Sequence, residues 1–91
     1  MTGDAPATDA TTLRYWAAAR AAAGVASEKT SAGTLAEALL LARSVRDDRF
    51  TRVLAVCSFV VDGEPVGARD HAAVVLPAGA LVDVLPPFAG G

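Results

Sequence analysis

The sequence has one cysteine and one histidine among its 91 residues, and no isoleucine, asparagine or glutamine. A single cysteine excludes an internal disulfide and suits a reducing compartment. One cysteine and one histidine are also too few to fill a structural zinc site. We therefore expect a cytoplasmic protein that has no disulfide framework and no metal site.

Long apolar runs and clusters of one charge are missing as well. No apolar stretch approaches the roughly 20 residues that cross a bilayer. The eight basic residues are scattered along a chain whose net charge is −2, which argues against a surface that neutralises phosphates. We accordingly expect no membrane and no nucleic acid among the partners of this chain.

Apolar residues are abundant and make up 53% of the sequence. This content is too high for a disordered chain, and the length is typical of one domain. The first residues differ, because they are rich in Thr, Asp and Ala and show no periodicity. We expect residues 1–11 to be a disordered leader, residues 12–85 a folded domain and residues 86–91 an extended reactive tail.

The first predicted strand covers residues 12–16, which are rich in β-formers. Its alternation puts Leu13 and Tyr15 on one face and Trp16 on the other. Residues 17–23 are almost entirely alanine, which favours a short helix directly after this strand.

The main helix is predicted over residues 35–46, where apolar residues recur at helical spacing. Thr34 and Glu37 match a capping box, in which the hydroxyl accepts a backbone hydrogen bond and the carboxylate reaches back. A weak strand over residues 25–30 precedes this helix. Residues 49–53 are ambiguous and are compatible with a turn of 3₁₀ helix.

The remaining segments predict short strands. Residues 54–61 are strongly apolar and indicate a buried strand, and the Asp-Gly pair at 62–63 is typical of a hairpin turn. The proline in residues 64–66 indicates an edge strand, and further strands are predicted over residues 72–76 and 81–85. This order predicts an α+β fold of the β-grasp, ubiquitin-like kind: a mixed sheet with one main helix packed on one face.

The last six residues combine two different requirements. Pro86 and Pro87 cannot extend a β-ladder and favour a stiff, extended backbone. Gly90 and Gly91 have no side chains, and glycine is costly to order. A tail that enters a narrow slot explains such an end; the alternative is a frayed terminus with incidental glycines.

Two segments together carry a family resemblance. Residues 14–20 read Arg-Tyr-Trp-Ala-Ala-Ala-Arg, and residues 83–91 read Asp-Val-Leu-Pro-Pro-Phe-Ala-Gly-Gly. With a capped helix between them, they resemble the MoaD/ThiS family of ubiquitin-like sulfur carriers, and most of all the small subunit of molybdopterin synthase. The resemblance covers residues 12–91 and implies a flexible C-terminal Gly-Gly tail.

The resemblance implies that Gly91 and Gly90 form the reactive end. An ATP-dependent adenylyltransferase/sulfurtransferase adenylates the Gly91 carboxylate, which a sulfur donor then converts to a thiocarboxylate. In molybdopterin synthase this tail enters the large subunit and donates sulfur to the pterin precursor in molybdenum cofactor biosynthesis. On this hypothesis the chain binds no cofactor, the activating enzyme uses the ATP, and the chain alone is not catalytic.

A partner surface is expected around the root of this tail. Alternation in the last strand puts Val82 and Val84 on one face, and Leu85 beside a water-facing Asp83 on the other. Exposed Trp16 and Leu85 then form an apolar patch of the kind that marks interfaces. The predicted partner-binding residues are Trp16, Arg20, Leu85, Pro86, Pro87, Phe88 and Ala89. The alternatives are a core position for Trp16 and a merely solvated Arg20.

Two further residues and three further functions stand outside this hypothesis. We expect Cys57 to be a buried small hydrophobe rather than a sulfur relay, and His71 to be a solvated surface group. Three other functions stay open: a sulfur carrier for thiazole or cysteine biosynthesis, a ubiquitin-like modifier joined to lysines, and a binding module without tail chemistry.

Overall fold

The computed structural model describes residues 10–87. Residues 1–9 of the predicted leader lie outside the described residues, as do four predicted site residues, Phe88, Ala89, Gly90 and Gly91. In chain order the elements are β1 (Thr11–Tyr15), α1 (Ala17–Ala23), β2 (Ser27–Thr30), α2 (Leu35–Ser44), α3 (Asp48–Leu54), β3 (Ser58–Val61), β4 (Glu64–Pro65), a 3₁₀ turn (His71–Ala73) and β5 (Leu81–Leu85).

The five strands form one mixed sheet in the order β2-β1-β5-β3-β4. The central pair, β1 and β5, is parallel, and the other pairs are antiparallel. The predicted Asp62-Gly63 turn joins β3 to β4, and both of its residues have positive φ, 49° and 86°. Strand β4 contains Pro65 and lies at one edge, while β2, which carries Lys29, lies at the other. The topology confirms the predicted β-grasp arrangement.

The core lies between one face of this sheet and the helices. Leu13 and Tyr15 of β1, with Val82 and Val84 of β5, are at most 1% exposed, as the predicted alternation requires. The helices cover them with Ala19, Leu35, Ala38, Leu39, Ala42, Phe50 and Leu54. The opposite face of the sheet is left partly exposed.

Residues 47–57 depart most from the sequence prediction. They form helix α3 and a short connection, so the predicted strand over residues 54–61 begins only at Ser58. Asp47 caps the helix, because its side chain accepts a hydrogen bond from the Phe50 backbone amide at 3.2 Å. Phe50 and Leu54, one helical turn apart, are both buried, and this packing outweighs the β-propensity of the segment.

Other element boundaries differ by small amounts. Strand β1 begins at Thr11, which pairs with Thr30 and is 2% exposed; Thr11, predicted to lie in the leader, therefore belongs to the folded domain. Residues 72–76 form no strand apart from one isolated bridge at Val75. Asp70 caps a 3₁₀ turn there by accepting a hydrogen bond from the Ala72 amide at 3.1 Å.

Helix α2 begins with the predicted cap and ends earlier than predicted, at Ser44. Thr34 accepts a hydrogen bond from the Glu37 amide at 3.2 Å. The Glu37 carboxylate reaches back to the Gly33 amide at 2.9 Å, one residue before the cap. The shorter helix leaves Arg46 outside it, at a position where its side chain turns toward the core.

Arg46 ties the helical layer to the sheet. Its Nε donates to the Ala23 carbonyl at 3.1 Å and its Nη1 to the Ala42 carbonyl at 3.0 Å. Nη1 also forms an ion pair with Glu28 at 2.8 Å, and the Tyr15 hydroxyl donates to the same carboxylate. We call these three side chains, Tyr15, Glu28 and Arg46, the Arg46 cluster. Arg46 is thus the hydrogen-bond donor to one carbonyl in the last turn of α1, to one carbonyl in the last turn of α2 and to the carboxylate of Glu28 on β2.

Replacement of Arg46 should destabilise the fold. Arg46→Ala leaves the half-buried Glu28 without its cation and removes the guanidinium stacked 4.8 Å above the Phe50 ring. We expect a loss of about 2–3 kcal/mol in the free energy of unfolding, since hydrogen bonds to charged groups are worth about that much. Urea titration followed by circular dichroism measures it. Arg49→Ala, at an exposed site on α3, is the matched control, and equal midpoints for the two variants would contradict the assignment.

The same cluster predicts a pH dependence. Burial raises the pKa of Glu28, but the hydrogen bonds from Arg46 and Tyr15 outweigh burial and hold that pKa below its usual value of 4.5. A carboxyl group with a depressed folded-state pKa stabilises the fold above its unfolded pKa, and this contribution is lost as the pH falls. Glu28→Gln should therefore be less stable than wild type at neutral pH.

The difference between Glu28→Gln and wild type should shrink when unfolding is measured at pH values stepped down from about 5 to about 3. Glu64→Gln, an exposed change on β4, is the control and should follow wild type throughout. A gap between Glu28→Gln and wild type that stays constant over this range would show that Glu28 stabilises the fold by packing alone.

Candidate partner-binding surface

The two central strands end side by side. Because β1 and β5 are parallel, with Tyr15 opposite Val84, the residues that follow them emerge at the same end of the sheet. The Trp16 amide donates to the Val84 carbonyl at 3.2 Å, so Trp16 lies beside Leu85. The predicted tail therefore starts next to Trp16.

The side chains that alternate away from the core form the uncovered face of the sheet. Arg14, Asp83 and Val60 lie opposite one another on β1, β5 and β3. Leu81 and Leu85 flank Asp83 along β5, and both are partly exposed. The predicted position of Leu85 on the same face as Asp83 is confirmed.

Asp83 is the centre of a hydrogen-bonded group on this face. Its Oδ1 accepts from Arg14 Nε at 2.6 Å and from Trp16 Nε1 at 2.8 Å, and its Oδ2 accepts from Arg14 Nη2 at 3.2 Å. The Arg14 guanidinium also lies over the Trp16 ring, 5.1 Å from its centroid. We call Arg14, Trp16 and Asp83 the Asp83 cluster.

These contacts change the expected environment of Asp83. Asp83 lies on the uncovered, water-facing side of the sheet as predicted, but its side chain is only 16% exposed, because two neighbouring side chains cover the carboxylate. The hydrogen bonds from Arg14 lower the pKa of Asp83, so they favour its ionised form. The carboxylate of Asp83 thus lies between the Arg14 guanidinium and the Trp16 indole N–H. Along β5 the neighbours of Asp83 on this face are Leu81 and Leu85.

Trp16 is 44% exposed and does not belong to the core. It is the residue before α1 and has extended backbone angles, φ −120° and ψ 148°, which continue the direction of β1. Arg20 is exposed on α1, and Pro86 and Pro87 continue from β5 with partial and full exposure. Their roles in partner binding stay predictions.

Cys57 and His71 lie elsewhere, along a cleft of about 220 Å³ beside α2 and α3. Cys57 is not in a strand; it is half-buried after α3, and its Sγ donates to the Val53 carbonyl at 3.2 Å. Burial raises the pKa of the thiol, which disfavours the reactive thiolate. His71 is partly buried rather than solvated, and its ring meets Phe59 edge-on at 5.1 Å.

Residues 10–87 contain neither a candidate metal site nor a candidate membrane-spanning helix. No group of three or more His, Cys, Asp or Glu side chains there is arranged to hold a metal ion. No helix within the same residues has the length and apolar character needed to span a bilayer. Of the features in this part of the chain, the Asp83 cluster with Leu85 is the strongest candidate for recognition.

Comparison with known proteins places this geometry among solved folds. No family model matches the sequence, and no curated protein matches it. The structure matches the solution structure of the Haloferax volcanii HVO 2177 protein with a TM-score of 0.72 and 25% identity, over 100% of this chain and 94% of that chain.

Two further solved structures match 90% of this chain. The small archaeal modifier protein 1 from Methanosarcina acetivorans matches with a TM-score of 0.69 and 16% identity, over 90% of this chain and 96% of that chain. A chain from the complex of subunits 1 and 2 of molybdopterin-converting factor from Helicobacter pylori matches with a TM-score of 0.67 and 18% identity, over 90% and 99%.

This chain has the fold of the MoaD/ThiS-type ubiquitin-like proteins. The resemblance drawn from residues 14–20 and 83–91 is confirmed at the level of the fold.

The pairing of Arg14 with Asp83 was not predicted from the sequence. Their opposite charges on two predicted strands were the available signal. The two residues are 69 positions apart, and only the parallel register of β1 and β5 brings them together. The sequence alone does not specify that register.

Trp16 and Tyr15 are adjacent aromatic residues and should differ sharply in their effect on stability. Trp16→Ala removes a half-exposed side chain with one hydrogen bond, and we expect a loss of about 1 kcal/mol in the free energy of unfolding. Tyr15→Ala empties a site that is 1% exposed, and we expect a loss of about 3–5 kcal/mol. Urea titrations of both variants test this contrast; a larger loss for Trp16→Ala would place Trp16 in the core.

Proposed function

We propose that this chain is the sulfur-carrier small subunit of a molybdopterin synthase, with sulfur carried on the Gly91 carboxylate. One observation supports it most: the parallel β1–β5 pair puts the half-exposed Trp16 and the partly exposed Leu85 at the root of the tail. A partner that grips these two side chains receives the tail in a defined direction.

The proposed chemistry begins with an adenylation. An activating enzyme joins the Gly91 carboxylate to the α-phosphate of ATP and releases pyrophosphate, because a free carboxylate is a poor electrophile. A sulfur donor then supplies sulfur at the sulfide level as hydrosulfide, which attacks the acyl carbon; the bond to AMP breaks, AMP leaves, and a thiocarboxylate remains. The ATP is bound by the activating enzyme, and this chain needs no cofactor of its own.

The tail is suited to two active sites in turn. Gly90 and Gly91 add no side chains beside the reacting carbon. Pro86 and Pro87 keep the start of the tail extended, and residues 86–91 reach about 20 Å when extended. The thiocarboxylate thus enters a slot in the large subunit while the domain stays outside, and donates its sulfur to the pterin precursor.

The partner-binding residues of this proposal surround the tail root. Trp16 and Leu85 are the central contacts, with Arg20 and Pro86 at the rim. The structural match to a complex of subunits 1 and 2 of molybdopterin-converting factor supports a large-subunit partner. The reducing conditions that suit a lone cysteine support a cytoplasmic setting.

A ubiquitin-like protein modifier is the second candidate, supported by the match to the small archaeal modifier protein 1. It uses the same adenylated Gly91 but transfers the chain to lysines. Two measurements on material from the native host separate the two functions. A mass gain equal to the difference between sulfur and oxygen indicates a thiocarboxylate, whereas isopeptide adducts on other proteins indicate a modifier.

The length of the tail should be critical for activation. Adding one glycine after Gly91, or deleting Gly91, moves the carboxylate by about 3.5 Å, and a misplacement of even 1 Å can cost about a hundredfold in rate. Neither variant changes Trp16 or Leu85. We expect both variants to fold and to bind the large subunit in pull-downs, but to lose ATP–pyrophosphate exchange with the activating enzyme of the same organism.

The matched control for the tail variants carries the extra glycine at the N-terminus and should exchange like wild type. Normal exchange by either tail variant would refute the requirement for a fixed tail length, and no exchange with the wild-type chain would refute the carrier mechanism and favour a binding module without tail chemistry.

A further inference from the structure

The uncovered face of the sheet carries an ion pair among apolar side chains. Asp83 sits in the middle of β5 between Leu81 and Leu85, with Val60 opposite it on β3. Charged residues are depleted at the centres of interfaces, and a partly exposed ion pair contributes little to folding. The contacts of this carboxylate therefore call for a closer look at what else it holds.

The contacts of Asp83 converge on Trp16. The indole has one hydrogen-bond donor, Nε1, and Asp83 accepts from it at 2.8 Å. Arg14, itself bonded to Asp83 through two nitrogens, lies over the face of the same ring. Asp83 thus contacts the edge of the indole directly, and it also holds Arg14 in place over the face of the ring. These contacts form although the residue is 44% exposed.

We propose that Asp83 is a positioning residue that fixes the orientation of Trp16 before the activating enzyme docks at the root of the tail. This inference rests on the proposed function, because it takes Trp16 as a docking residue. A side chain that is ordered in advance avoids the cost of ordering it on binding. Asp83 then acts on association through Trp16 and takes no part in the chemistry at Gly91.

The first test uses the isolated protein. Trp16 is the single tryptophan, so its fluorescence reports on its own mobility and exposure. Asp83→Ala should lower the fluorescence anisotropy of Trp16 and increase its quenching by acrylamide. Asp83→Asn keeps an oxygen acceptor for Nε1 and should fall between Asp83→Ala and wild type.

The matched control for Asp83→Ala is Glu64→Ala, which removes the same charge from an exposed site on β4. It should behave like wild type in both fluorescence measurements. Circular dichroism and thermal melting verify that each variant is folded. Should Asp83→Ala not fold, Asp83→Asn and Arg14→Gln replace it, because each weakens one hold on the indole.

The second test separates docking from chemistry. In ATP–pyrophosphate exchange with the activating enzyme of the same organism, Asp83→Ala should raise the KM for this chain and leave kcat unchanged. Ordering one side chain costs about 0.5–1.5 kcal/mol, which corresponds to a rise of about 2- to 10-fold in KM.

Each outcome decides the proposal. Unchanged anisotropy and quenching in Asp83→Ala would overturn it, and so would a loosened Trp16 with a wild-type KM, or a fall in kcat at constant KM. A wild-type chain that supports no exchange contradicts the proposed function and the docking role with it. In that case the fluorescence comparison still shows independently whether Asp83 holds Trp16, so the two failures are distinguishable.

Discussion

The parallel pairing of β1 with β5 is the constraint on which the rest of the structure depends. Parallel neighbours cannot be joined by a tight turn, so the elements between Tyr15 and Leu81 must cross from one end of the pair to the other. The helices of this connection cover one face of the sheet. The same pairing brings Trp16 and Leu85 to one end of the molecule, and the fold and the candidate surface share one cause.

Two clusters of similar composition lie near the end of β1, one on each face of the sheet. On the helical side Tyr15 shares a carboxylate, Glu28, with Arg46. On the uncovered side Trp16 shares a carboxylate, Asp83, with Arg14. In each case an aromatic side chain with one polar atom is held by a carboxylate and covered by a guanidinium. The first arrangement fixes helices to the sheet, and the second fixes a half-exposed ring on a surface.

The sequence predicted those parts of the fold that local patterns determine. Alternation in β1 and β5, the alanine helix over residues 17–23 and the cap at Thr34 all depend on neighbouring residues, and all are confirmed. Helix α3 was predicted only as an ambiguous turn over residues 49–53, because two apolar residues one turn apart do not establish a helix until Phe50 and Leu54 are seen to pack into the core. The Asp83 cluster was missed because it depends on strand register. The role of Gly91 rests on family resemblance and stays a prediction.

The two edges of the sheet have a consequence for how copies of this protein meet. Strand β4 is only two residues long and includes Pro65, which lacks an amide hydrogen, and β2 presents Lys29 at the opposite edge. Short strands, proline and lysine all oppose edge-to-edge pairing of sheets. Crowded copies are therefore kept from joining edge to edge into longer sheets.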